Sequence, residues 1–489
     1  MDIGSNTIRL VVFDRGAGND LRLTAEAKAT LRLERGLGKD GTLSKAAAAS
    51  VKTALAEFAA VAGASGARQV VAVATAAFRD AVNKKEVAAQ LKAETGITLR
   101  ILTGEEEAAF AFVGAIYGLP VENGVLFDIG GGSLEIIEFA KRSLVKSWSL
   151  PFGALRISDQ LLTSDPPSQK EVEKLEQLVQ NALVDSGVPA LPAGARLVGS
   201  GGSIRNISKM DRRSRVYAIR RLHGYEVSVK RLNNLKDQIC TLSERERRSL
   251  KGLNPERSDS IAGGAIVISA LAAHVGAKDI LVSGRGLREG VALCGDSGML
   301  PPIADVRLES VESLASRFAT WRPFAAGRRA EIARAVCEEL GLGEWEGLPE
   351  LTGLAARLLD AGSSIDYYNR VDHAATIIEE GDLGGFTHRD VALMSAVTRQ
   401  AQRSLINIDD YRPLLSAKDH LPVLQAGTVL AIADEIERRL PATRRPDIRV
   451  KNGRDRTVLS HEGLGVWDPG WLTDRFEFTF GRQLAVTGA

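Results

Sequence analysis

Over the first 300 residues the apolar positions keep two rhythms: strand-length runs, and longer stretches with the spacing of three and four that marks a helix. Strand-like runs fall at 21–33, 69–74, 98–102, 124–127, 134–139 and 144–150, with two more at 196–198 and 280–282. Helical spacing covers 44–64, a stretch after Asn83, the stretch from Thr103 to about Tyr117, one after Gly153 and one from Ser168. Asn83 with Glu86 and Thr103 with Glu106 have the spacing of capping boxes. The alternation predicts an α/β fold over 1–300. From 306 to about 440 the spacing is helical throughout, and the composition changes at Met299-Leu300-Pro301-Pro302. Beyond Pro441 come short strand-like pieces at Val450, Thr457-Val458-Leu459 and Phe476-Glu477-Phe478-Thr479-Phe480. These changes predict domains at 1–118, 119–300, 301–440 and 441–489, the last a small α+β segment.

Glycine turns punctuate the α/β part where strands end. The run Gly124-Val125-Leu126-Phe127 leads into Asp128-Ile129-Gly130-Gly131-Gly132-Ser133-Leu134-Glu135. Consecutive glycines leave backbone amides uncovered, and such a row of N–H groups makes an anion site. Asp128 and Glu135 flank it, placed to meet a metal ion on a bound phosphate. The motif recurs without a gap at Asp2-Ile3-Gly4-Ser5-Asn6-Thr7-Ile8-Arg9, so that Asp2 aligns with Asp128 and Thr7 with Ser133. Two such hairpins would clamp a phosphate from both sides. Gly4, Ser5, Asn6, Gly131, Gly132 and Ser133 are the expected contacts, with Asp2 reaching the metal through water. Arg9 stands where the second copy has Glu135, which makes Arg9 a phosphate candidate and the second copy the metal-carrying half. The strand that should precede Asp2 is almost absent, so it is either unusually short or begins upstream. Two further turns, Gly199-Ser200-Gly201-Gly202-Ser203 and Ser283-Gly284-Arg285-Gly286, repeat the grammar and add Gly201, Gly202 and Ser203. The loop Gly36-Leu37-Gly38-Lys39-Asp40-Gly41 is plain turn chemistry. Glu107 falls in the first turn of a helix just past a strand end, where α/β sheets place ligand-facing groups; the helix dipole suffices to explain Glu105 and Glu106.

Composition narrows the field only a little. Hydrophobic residues at 44% and charged residues at 25% describe an ordinary soluble chain, and a net charge of +2 gives no reason to expect nucleic acid. The charge is nonetheless clustered. Arg205, Lys209, Arg212, Arg213, Arg215, Arg220 and Arg221 face Asp211 alone within 205–221. A second run, 438–456, carries Arg444, Arg445, Arg449 and Lys451 among its eight basic residues, with only two aspartates. Clusters of this kind can guide a long anionic chain, and a polyanion channel is expected along them. Cys240, Cys294 and Cys337 have no metal or redox spacing and are expected as buried free thiols. With no signal peptide expected and the longest apolar run, 261–273, too short to span a bilayer, a cytoplasmic protein without membrane contact is expected.

The glycine turns, in this order, resemble the actin/Hsp70/sugar-kinase architecture: two duplicated actin-like (ribonuclease H-like) lobes around a phosphate cleft. Within it the chain closely resembles the exopolyphosphatase/guanosine pentaphosphate phosphohydrolase (Ppx/GppA) family. The matching residues are Asp2 through Thr7, Gly104-Glu105-Glu106-Glu107-Ala108, Asp128 through Glu135, Gly199 through Ser203, and Gly286-Leu287-Arg288-Glu289-Gly290. The resemblance implies hydrolysis of a terminal phosphate from inorganic polyphosphate or guanosine pentaphosphate (pppGpp) with Mg²⁺ or Mn²⁺. It also implies that Glu107 is the general base and that Arg79, in Thr75-Ala76-Ala77-Phe78-Arg79, lies near the phosphates. The helical remainder implies an HD-like domain. An HD metal site needs a His…His-Asp…Asp order, whereas this chain has Asp372-His373 and five scattered histidines, so these are read as structural. The C-terminal helices and basic surfaces suit a homodimer. An ATPase or kinase shares the phosphate hairpins, but Glu107 in its Gly-Glu-Glu-Glu-Ala setting argues against it. Intact Asp128, Glu135 and Glu107 argue against a non-catalytic polyphosphate-binding regulator.

Overall fold

The computed structural model describes residues 1–16, 21–38, 40–293, 300–345, 347–464 and 467–488; Lys39, Cys294 and Met299 lie outside the described residues. The chain forms two compact units: 1–215 with 222–302, and 303–489 with 216–221.

The first unit holds two sheets. β1 (Asp2–Ile3), β2 (Thr7–Arg15), β3 (Leu21–Thr30), β4 (Ala72–Ala74) and β5 (Leu99–Ile101) run in the order β3-β2-β1-β4-β5. β6 (Gly124–Ile129), β7 (Leu134–Ala140), β8 (Ser143–Leu150), β9 (Arg196–Gly201), β10 (Tyr225–Ser228) and β11 (Asp279–Val282) form the other. From its hairpin edge that sheet reads β8-β7-β6-β9-β11, with β10 added at the far side. In both, three antiparallel strands join two parallel ones. The sequence repeat is thus a repeat of topology, and the fold is a pair of actin-like lobes. β6 sits centrally, with Val125, Leu126 and Phe127 all buried, the unbroken apolar run expected of a strand covered on both faces.

Helices position the hairpins. In Lys45–Ala64 the stripe Val51, Leu55, Phe58 and Ala62 fills the first lobe's core, and the Ser44 side chain caps its start. By length and composition this helix could cross a bilayer; its apolar stripe is instead used in packing. Gly104–Ile116 starts at a complete capping box of Thr103 and Glu106. It then crosses Leu287–Leu293 backbone to backbone. A Cβ on Gly114 would stand 1.9 Å from the Gly286 carbonyl oxygen, and one on Gly290 would stand 1.7 Å from that of Phe110. Two glycines therefore set how closely the helix bearing Glu107 approaches the fourth glycine turn. Arg142, buried at the β7–β8 turn, donates to the carbonyls of Tyr117, Leu119, Val121 and Pro301, tying the link between the lobes to the exit of the second.

Several expectations are corrected. Asn83 does not close a capping box, because its amide is spent on the backbone of Leu43 in both directions. The strand expected at 69–74 shrinks to β4, with Val70 and Val71 exposed. The 476–480 alternation belongs to a helix, Trp471–Phe480. Its buried positions Leu472, Arg475, Phe476 and Thr479 follow the helical period, and Phe476 stacks on Phe480 one turn away.

The second unit is helical, built on Ile303–Ser316, Pro323–Glu339, Leu348–Leu358, Arg370–Glu380, His388–Gln400 and His420–Glu437. β12 (Arg449–Asn452), β13 (Arg456–Ser460) and β14 (Gln483–Thr487) follow as a small sheet. Residues 441–489 were expected as a separate domain, but Leu459, Leu472, Phe476 and Val486 share the core of the helices, as does Ile219 from 216–221. Asp360, Asp434 and Glu437 converge inside this unit and are met by arginines. Arg329 lies 3.0 Å from Asp360 and 2.9 Å from Asp434, Arg328 lies 2.5 Å from Glu437, and Arg370 pairs with Asp434. Buried carboxylates demand a cation, and here guanidinium groups supply it. Cys240 is half-buried and Cys337 fully buried, and burial pushes their thiols up to about 11 and about 12.

Replacing Gly114 with alanine forces the two helices apart. It is expected to cost about 2–3 kcal/mol, read as a lowered urea midpoint for the unfolding of the first unit.

Candidate active site

A cleft of about 320 Å³ lies between the two lobes of the first unit, lined by all four glycine turns. The β6–β7 turn shows how the chain builds an anion site. The amide of Ala154 donates to the carbonyl of Gly130, and those of Leu155 and Arg156 donate to Gly131. Peptide units are planar and trans, so with these carbonyls held by the helix Ala154–Leu161 the amides of Gly131 and Gly132 point the other way, toward the cleft. Gly153 makes the fit possible, since a Cβ there would stand 2.3 Å from the Gly132 backbone. The β1–β2 turn is arranged alike. The Asn6 carbonyl accepts from Leu31 and Arg32, which turns the Thr7 amide away from it. The two turns face each other, for a Cβ on Gly131 would stand 3.4 Å from that of Asn6. The Asn6 side-chain oxygen is buried without a hydrogen-bond partner, as in a site that a ligand completes.

Strand register places the charges. Asp2 is directly opposite Arg9, and Arg9 opposite Lys28. In the other lobe the equivalent row is Asp128, Glu135 and Ser149. One lobe therefore presents an acid with two bases, the other two acids with a hydroxyl. Asp128 sits between the third and fourth glycine turns. Gly201 has φ +94, and a Cβ there would stand 2.7 Å from the Asp128 carboxylate, which demands glycine twice over. Glu107, lining the same cleft, accepts from Arg79 at 2.5 Å.

Burial of so much charge shifts the groups against one another. Burial raises the carboxyls of Asp2, Asp128 and Glu107, and it lifts Glu135 to about 8 with the charge of Glu107 adding to the push. Opposite them, burial and then Arg288, Arg205 and Arg257 lower Arg9 to about 10. Burial also lowers Arg205, next to Arg288, and Arg257, next to Arg205. Four mutually repelling guanidinium groups in one cleft are a site for a concentrated anion.

The pattern of the Ppx/GppA phosphatase family matches residues 11–295, and that of domain III of the same phosphatases matches 306–464. The chain belongs to the Ppx/GppA phosphatase family. It is 30% identical over 297 residues to exopolyphosphatase 1 of Mycobacterium leprae, which covers 60% of this chain and 87% of that one. It is 31% identical over 309 residues to exopolyphosphatase 2 of Mycobacterium tuberculosis, covering 60% of this chain and 96% of that one. Among solved structures, the Aquifex aeolicus Ppx/GppA family member superimposes with a TM-score of 0.54 at 25% identity, over 60% of this chain and 94% of the other.

In this Ppx/GppA phosphatase Gly4, Ser5, Asn6, Arg9, Gly131, Gly132, Ser133, Gly201 and Gly202 all line the cleft with Glu107, Asp128 and Glu135. Others are corrected. Ser203 is buried away from the cleft, its hydroxyl against Gly264. Arg79 pairs with Glu107 at the edge of the cleft. Asp2 lies 3.9 Å from Arg288, and among the described residues no three carboxylate, histidine or cysteine side chains gather directly into one metal-holding group, which leaves Asp2 only the expected role through water. Of the expected channel, Arg205 is a cleft residue, bonded to the carbonyls of Gly201 and Gly284. Arg212 is half-buried, and Arg215 leans on buried Asp211 at 3.9 Å, leaving Arg213 exposed. Arg444, Arg445, Arg449 and Lys451 are exposed in the other compact unit.

Arg257 and Arg288 were missed, as were Asn206 and Asn254. Arg288 lies in the run Gly286-Leu287-Arg288-Glu289-Gly290, where the glycines carry the local signal. Arg257 follows Asn254-Pro255, a cap and turn signal that says nothing of a cleft.

Tripolyphosphate is expected to raise the melting temperature of this phosphatase, by about 2.7 kcal/mol of stabilisation at a hundredfold excess over Kd. The same titration of Arg288→Gln checks the origin of the effect, which should fall by more than half.

Proposed function

We propose that the protein is an exopolyphosphatase, releasing orthophosphate from the end of inorganic polyphosphate. The observation that carries this reading is the cleft itself, where Arg9, Arg205, Arg257 and Arg288 face Glu107, Asp128 and Glu135. Stacked anionic charge suits such an arrangement better than a single phosphate does. The names of the mycobacterial relatives support the same substrate.

The terminal phosphate sits between the amides of Gly131 and Gly132 and the Asn6 turn. Glu107 takes a proton from a water whose oxygen attacks that phosphorus, and the bridging P–O bond to the chain breaks. Arginine charge meets the leaving oxygen. Arg79 holds Glu107 in place, and its hydrogen bond and charge oppose the upward push of burial on that carboxyl.

Asp128 and Glu135, opposite each other across β6–β7, are oxygen donors suited to one hard divalent cation, Mg²⁺ or Mn²⁺. Two carboxylates without a third fit a magnesium ion completed by phosphate oxygens and water. Such an ion neutralises charge on the attacked phosphate when bound.

Phosphate release is to be followed with Mg²⁺ and, separately, long polyphosphate, tripolyphosphate, guanosine pentaphosphate and ATP. Stepwise release from long polyphosphate is expected; release from guanosine pentaphosphate alone would reassign the substrate within the family. Glu107→Gln should lose at least a thousandfold in kcat while still binding the chain, and near-normal turnover would remove Glu107 from the role of base. Because Arg79 lowers the Glu107 carboxyl, Arg79→Gln should raise it further. The base is then ionised only at higher pH, so the acidic limb of kcat/KM is expected to move upward in a pH–rate profile.

A further inference from the structure

Arg257 stands on a segment of the second lobe that is fastened to the first lobe on both sides of it. One residue before, Glu256 pairs with Lys28 of β3. Two residues after, Asp259 pairs with Arg32 at 2.9 Å. Between them the Arg257 guanidinium lies over Gly202, where a Cβ would stand 2.6 Å from its Nη2.

Both partners in the first lobe are continuous with the cleft. Lys28 is the cross-strand neighbour of Arg9, on the same face of the sheet. Arg32 takes a left-handed conformation, φ 50 and ψ 52, uncommon for a side-chain-bearing residue. In that conformation its amide donates at 2.9 Å to the carbonyl of Asn6, the residue that turns the first phosphate hairpin. Arg32 therefore holds the hairpin of one lobe with its backbone and the Arg257 segment of the other with its side chain. Within the second lobe the segment is seated by its own bonds. The Asn254 amide donates to Asn206 at 2.8 Å, and Arg247 donates to the Ser258 carbonyl at 2.7 Å.

We propose that Lys28–Glu256 and Arg32–Asp259 form an interlobe latch that positions Arg257 against a phosphate chain in the cleft. None of the four touches the cleft itself; they are positioning residues. The kinetic part of this inference rests on the polyphosphatase reading above, while the closure of the lobes does not. An exposed ion pair is worth little by itself, so the consequence lies in where Arg257 stands rather than in global stability.

Charge reversal and its repair test the latch. Glu256→Lys and Lys28→Glu, each alone, should raise KM for polyphosphate about fivefold with kcat within twofold, and the double swap Lys28→Glu/Glu256→Lys should restore KM. Failure of the double swap to restore it, or a single reversal without effect on KM, overturns the proposal. A second readout needs no turnover. Spin labels at Glu57→Cys and Glu173→Cys, on exposed helix positions of the two lobes, are introduced with the native cysteines replaced by serine. The interlobe distance distribution should be narrow in the parent, broad in Glu256→Lys, and narrow again in the swap. An unchanged distribution in Glu256→Lys overturns the latch whatever the substrate. Absence of phosphate release by the unmodified protein overturns the hydrolase reading alone.

Discussion

The carbonyls of Gly130 and Gly131 are held by the first amides of the helix Ala154–Leu161, and most of the cleft depends on that commitment. A peptide unit cannot aim its oxygen and its N–H at the same side. Once the helix takes the oxygens, the amides must face the cleft, and only a turn of small residues lets the helix come close enough. The same trade occurs in the first lobe with the Asn6 carbonyl. An anion site of this kind needs no charged side chain, which leaves the side chains free to differ between the lobes.

They do differ, and strand register shows how. A duplication that kept backbone and topology has placed Asp–Arg–Lys across one sheet and Asp–Glu–Ser across the other. Elsewhere in the cleft the signs are mixed: Arg205, Arg257 and Arg288 come from the second lobe, with Asp128 and Glu135, and Glu107 comes from the first. Burial first, and like charge after it, pushes the Glu135 carboxyl up and the Arg9 guanidinium down.

Much of this was legible in the residues because it is local. The gap-free repeat of Asp2 on Asp128, the Thr103–Glu106 cap and the glycine turns at strand ends each follow from neighbours a few positions apart. What escaped depends on partners far along the chain. Asn83 looked like a cap until Leu43 claimed its amide. Nothing near Arg79 in the sequence announces its ion pair with Glu107, 28 residues on. Ser203, in the first turn of the helix Gly202–Arg213, is buried with its hydroxyl against Gly264, far along the chain. The Phe476-Glu-Phe-Thr-Phe alternation imitates a strand, and only the burial of Leu472 and Arg475 upstream reveals the helix. Arg257 had no local signal, since its role arises from lying over Gly202.

The segment 216–221 leaves the first compact unit after the helix Gly202–Arg213, buries Ile219 in the core of the second, and returns at 222. The polypeptide therefore passes between the units three times, at 215/216, 221/222 and 302/303. A chain ended at 302 would keep every cleft residue yet strand Ile219 without its core. The two units are separate in packing but not separable by a single cut.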